Sequence, residues 1–113
     1  MSTMFINEVA YGIHVHVYGN AHINKILDDY KDEISHSSKL SLLEKGATFV
    51  YIKSTYEGIQ SSISEYIHCE DKTKPEPILS DREQKAIGEL ISLCYCNPKR
   101  LMWVRYADTL CEE

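Results

Sequence analysis

The sequence predicts an α+β fold: a single small domain with a two- to three-stranded sheet, packed by about four to five helices, its C-terminal part helical. Three features of the chain lead there. Residues 11–18 and 47–53 place β-branched side chains at every second position, the pattern of strands. Residues 20–34 and 80–94 instead repeat apolar side chains at helical spacing. A length of 113 residues, 43% hydrophobic and 26% charged, supplies one core and is too short for a barrel.

In chain order, residues 1–9 carry Phe5, Ile6 and Val9 without a decisive period. In 11–18, Ile13, Val15 and Val17 share one face, and His14, His16 and Tyr18 the other. Gly12 marks a bulge or the strand's start. Gly19 and Asn20 end the strand, with Asn20 as helix N-cap. Ile23, Ile26, Leu27, Tyr30 and Ile34 then line one helical face, with Lys25, Asp28, Asp29, Asp32 and Glu33 turned to water. After a break at His36, Ser37 and Ser38, residues 40–45 read as a short helix stopped by Gly46. The 47–53 strand has apolar side chains on both faces, as in a strand buried on both sides. Tyr56, Ile59, Ile63, Tyr66 and Ile67 keep helical spacing despite Gly58.

Residues 70–77 are charged, hold two prolines and read as a linker between an α/β N-terminal part and a helical C-terminal part. Ser80 and Glu83 form a capping-box pattern that opens a helix along Ala86, Ile87, Leu90, Ile91 and Cys94. Asn97 and Pro98 restart the backbone. Residues 99–110 fit a helix through Trp103, Tyr106, Ala107 and Leu110, with a strand over 100–106 as the alternative.

Composition narrows the function classes. No apolar run approaches the roughly 18 residues of a membrane helix, and no signal-peptide pattern opens the chain. The expected location is cytoplasmic, and the four cysteines, Cys69, Cys94, Cys96 and Cys111, are expected as free thiols. A net charge of −5 disfavours direct nucleic-acid binding and favours a basic protein partner. Eight tyrosines against two phenylalanines suit half-buried faces and interfaces. No phosphate-binding glycine loop or nucleophile elbow is present in the sequence.

His14 and His16 stand about 7 Å apart on one strand face at a rise of roughly 3.3 Å per residue, a spacing that metal ligands use. The pair resembles the strand-end His-x-His of metal-dependent hydrolases of the metallo-β-lactamase and amidohydrolase kinds. HVHVYG resembles the motif of the histidine-triad nucleotide hydrolases, with Tyr18 where that family has its third histidine. These resemblances imply the alternative function, a small metal- or histidine-dependent hydrolase using His14 and His16. Lys99, Arg100 and Arg105 around Trp103 form a basic-aromatic cluster able to meet phosphate.

The leading expectation is a non-enzymatic protein, with no cofactor and no metal. It inhibits a larger, basic protein by occluding its surface, in the manner of an immunity protein, antitoxin or phage counter-defence protein. Its expected contact residues are Tyr18, Asp28, Asp29, Tyr30, Asp32 and Glu33. A homodimeric regulatory or assembly subunit, joined through a sheet edge or the C-terminal helices, is the third expectation.

Overall fold

The computed structural model describes residues 6–16, 21–37, 47–58, 67–93 and 100–107. In chain order these form β1 (Ile6–His16), α1 (Ala21–Asp29), β2 (Ile34–Ser37), β3 (Ala47–Ile52), a 3₁₀ turn (Lys53–Thr55), β4 (Glu57–Gly58), β5 (Ile67–Glu70), α2 (Asp81–Leu93) and β6 (Met102–Ala107). The strands make one six-stranded sheet in the order β2-β3-β1-β6-β5, with β4 beside β1. Every pairing is antiparallel. Strands two places apart in this order therefore run parallel with a third strand between them: β1 and β2 are joined through α1, and β3 and β6 have α2 on their connection. This is split βαβ connectivity with β5 added at one edge.

A two- to three-stranded sheet under four to five helices is therefore wrong. The sheet has six strands, and the described residues hold two α-helices. The errors arise where period 2 and period 3.6 both fit. The first helix stops at Asp29, and Ile34 opens β2 instead of ending the helix. Either way Ile34 enters the same core, so its spacing from Tyr30 does not tell them apart. Residues 57–58 and 67–70 are strands, where helical spacing over 56–67 predicts a helix. The C-terminal part is not helical throughout: β6 runs through 102–107 and pairs along β1 and β5. The 40–45 helix lies outside the described residues.

Alternation along β1 sorts the core into two clusters. Tyr11, Ile13 and Val15 join Val50, Ile52 and Ile34 on one face, under Ile23, Ile26 and Tyr30 of α1 and Ala86, Ile87 and Leu90 of α2. Ala10 on the opposite face packs with Phe49, Met102 and Val104, flanked by Tyr51 and Tyr106. The helices thus cover one face, and β3 is buried on both sides. The capping box forms as the sequence predicts. Ser80 N–H donates to Glu83 Oε1 at 2.8 Å, and Glu83 N–H donates to Ser80 Oγ at 3.2 Å. Ser54 Oγ donates to the other Glu83 oxygen at 2.6 Å, which ties α2 to the 3₁₀ turn.

Gly12 sits inside β1, where the backbone of β3 comes unusually close. A Cβ there would stand 2.6 Å from Tyr51 Cα and nearer still to the Val50 carbonyl. Directly beside it, Tyr11 N–H donates to Thr55 Oγ1 at 3.0 Å, and Thr55 Oγ1 donates to the Ile52 carbonyl. A side-chain hydroxyl thereby replaces the ladder bond lost where β3 turns into the 3₁₀ segment. Gly12→Ala is expected to lower unfolding free energy by at least about 2 kcal/mol, because only backbone can give way there. Urea denaturation measures it, and a loss within error of zero would show that β3 is free to shift.

Candidate functional site

The α1–β2 corner is built by the turn that ends α1. Tyr30 N–H donates to the Ile26 carbonyl at 3.0 Å, and Glu33 and Ile34 N–H both donate to the Tyr30 carbonyl at 2.9 Å. Lys53 N–H donates to the Glu33 carbonyl at 2.9 Å and fastens the turn to the end of β3. The Tyr30 side chain is buried, with the Arg82 guanidinium 5.0 Å above its ring. Its hydroxyl bonds Glu89, and this bond with burial raises its pKa. Arg82 also pairs with Glu33 at 3.3 Å and donates to the Asp29 carbonyl at 3.4 Å. It thus brings from α2 a cation that the last turn of α1 lacks.

The expected contact residues divide accordingly. Asp28, Asp29 and Asp32 are exposed. Tyr30 is a core residue, and Glu33 is half-buried and paired. Tyr18 lies outside the described residues. The acidic run is also less one-sided than the sequence suggests. Beside it lies a depression of about 430 Å³, with Asn24, Leu27 and Asp28 of α1 and Lys31 of the following turn as one wall. Ser35 and His36 of β2, with Lys53, form the other. Lys53 Nζ donates to the Lys31 carbonyl at 2.9 Å. The sequence gives no sign of this grouping, because only the β2–β3 register carries Lys53 to residues 31–36.

His14 is buried on the helix-free face, its ring 4.9 Å from Phe49. From there an aromatic row continues through Tyr51 to Tyr56, at centroid spacings of 6.4 and 5.4 Å. Tyr56 donates to Glu8 at 2.7 Å, and burial with this bond pushes its hydroxyl up to about 12. Among the described residues, no three His, Cys, Asp or Glu gather as metal ligands. His16 belongs to β1, opposite Ala47.

Cys69 is disulfide-bonded, which corrects the expectation of a free thiol there. The three other cysteines lie outside the described residues. In the basic cluster around Trp103, Arg100 and Arg105 are engaged by internal partners, and Lys99 lies outside the described residues. Arg100 makes a two-pronged bond to Glu70 at 2.8 and 2.9 Å and holds that carboxyl below its ordinary value. Arg105 pairs with buried Asp71. Trp103 Nε1 donates to the Pro75 carbonyl at 2.9 Å, with Lys74 Nζ 4.7 Å over its ring. Residues 71–75 are thereby strapped to β6.

No helix among the described residues is long and apolar enough to cross a membrane. No protein family, curated protein or solved structure matches the chain.

Burial opposes ionisation of Asp71, yet bonds from Thr73 and Arg105 outweigh it and hold the carboxyl below its ordinary 3.8. A lowered folded-state pKa stabilises the fold above the unfolded-state value, and the contribution is lost as pH falls through the folded one. Asp71→Asn is expected to cost about 3 kcal/mol at pH 7, since Arg105 keeps its charge in a largely buried place. The variant should then lose less stability than the parent on acidification below pH about 4, as denaturation at several pH values will show.

Proposed function

We propose that this protein binds a larger, basic protein through the α1–β2 corner and acts by occluding the surface it covers. The observation that carries this is the exposure of Asp28, Asp29 and Asp32 together at a hydrogen-bonded corner. All three are exposed: Asp28 and Asp29 end α1, and Asp32 lies on the turn that follows, whose backbone is bonded to α1 and to the end of β3. Arg82 locks the turn from a second helix. A surface held in one conformation loses little entropy on association, which lets modest contacts yield affinity. Exposed carboxylates add an electrostatic attraction that speeds encounter with a cationic partner and disfavours acidic ones. An inhibitor of the immunity-protein, antitoxin or counter-defence kind has this physical requirement.

The test is capture from the native cells with two baits, wild type and D28K/D29K/D32K. The three positions are exposed, so the variant should keep its circular dichroism and melting midpoint. The partner held by wild type should be lost from the variant at moderate salt. With the purified partner, association should slow at least about tenfold and become less salt-dependent. Equal recovery by both baits would remove the acidic ridge from the proposed interface.

A further inference from the structure

β2 closes one side of the sheet: among the described residues it pairs with β3 alone. Two hydrogen bonds fix which of its backbone groups face outward. Lys53 N–H donates to the Glu33 carbonyl, one step beyond the Ile34–Ile52 pair. By antiparallel alternation, Ser35 and Ser37 then turn their backbone groups toward β3, while Ile34 and His36 turn theirs away. Ile34 N–H is taken by the Tyr30 carbonyl. The carbonyl of Ile34 and both backbone groups of His36 are directed at the edge beyond which no strand lies among the described residues.

The depression runs along the same strand, between β2 and Asn24, Leu27 and Asp28 of α1 with Lys31 of the following turn. Its charge is opposite to that of the whole chain. Lys31 and Lys53 face one carboxylate, Asp28, in a protein of net charge −5. Neither lysine forms an ion pair with another described residue. The one hydrogen that Lys53 Nζ gives to the Lys31 carbonyl leaves two to donate.

We propose that this edge and groove receive an extended, acidic peptide segment of the partner as an added strand. Its main chain bonds His36 and the Ile34 carbonyl, and a carboxylate side chain reaches Lys31 and Lys53. Strand addition supplies affinity through the main chain and specificity through the groove beside it. Outward groups on Ile34 and His36 span about 7 Å, enough to seat roughly three partner residues. The inference rests on the corner being the binding surface and says how the partner is held. Basic residues flanking the acidic strand would meet Asp29 and Asp32 on the outer side.

The test uses two blocked pentapeptides, valine alternating with glutamate and valine alternating with lysine, titrated into the isotope-labelled protein and followed by amide shifts. The glutamate peptide is expected to move the amides of residues 34–37 and 53 and to bind at least about tenfold tighter than its lysine counterpart. K31E/K53E should reverse that order. His36→Pro, which removes the outward N–H, should weaken binding about tenfold. Should that variant fail to fold, the exposed lysine pair still decides.

Equal binding of both peptides, shifts confined to other surfaces, or no binding of either at millimolar concentration would overturn the proposal. Dimers in light scattering that dissociate in His36→Pro would overturn it too, by assigning the edge to a second copy. If D28K/D29K/D32K loses the partner while the glutamate peptide does not bind, the interface stands and the added strand falls. Peptide binding with unaltered partner capture gives the opposite result.

Discussion

β1 hydrogen-bonds on both of its long sides, and most other contacts depend on that. It pairs with β6 along one side and with β3, then β4, along the other. Its alternate residues feed both core clusters. Such a strand tolerates few choices at each position, and Gly12 and Thr55 show how it is accommodated. One lets β3 come in close, and the other fills the gap where β3 leaves. The sheet then offers one face to two helices, whose ends meet near Arg82. The corner beyond Arg82 takes its geometry from the sheet through the Lys53–Glu33 backbone bond.

That corner carries both signs of charge within a few residues, and under the proposed binding role the combination would bear on selectivity more than on strength. A uniformly acidic surface attracts any cation. One that alternates an acidic ridge with a lysine-lined groove rejects partners whose charges fall out of step, through like-charge contact and unpaired buried groups. Tyr30, read from the sequence as a contact residue, serves beneath this surface as its support. The same holds for Glu33, whose carboxylate positions Arg82 instead of facing outward.

Local chemistry was legible in the sequence wherever one period or one cap stood without competition. The strand alternation in 11–16 and 47–52 and the reciprocal Ser80–Glu83 cap are of this kind. Legibility failed where a residue reaches the core by either geometry, as Ile34 does, or where short strands carry too few residues to show a period, as at 57–58 and 67–70. The candidate site was half visible. Asp28, Asp29 and Asp32 announce themselves by proximity in sequence, whereas Lys53 and His36 become neighbours only through strand register. Arg100 and Arg105 beside Trp103 suggested a phosphate site because their acids, Glu70 and Asp71, sit some thirty positions earlier.

The turn at 30–33 also sets a parity. Ile34 points into the core and turns its backbone outward because Glu33 is the last residue before the strand and bonds Lys53. A chain one residue longer or shorter in that turn has two ways to respond. It either absorbs the change within the turn and keeps the β2–β3 pairing, or slides that pairing by one place and turns Ile34 from the core to water. The length of that turn is thus tied to the register of the edge strand, and Tyr30 and Glu33 tie its composition to the core and to Arg82.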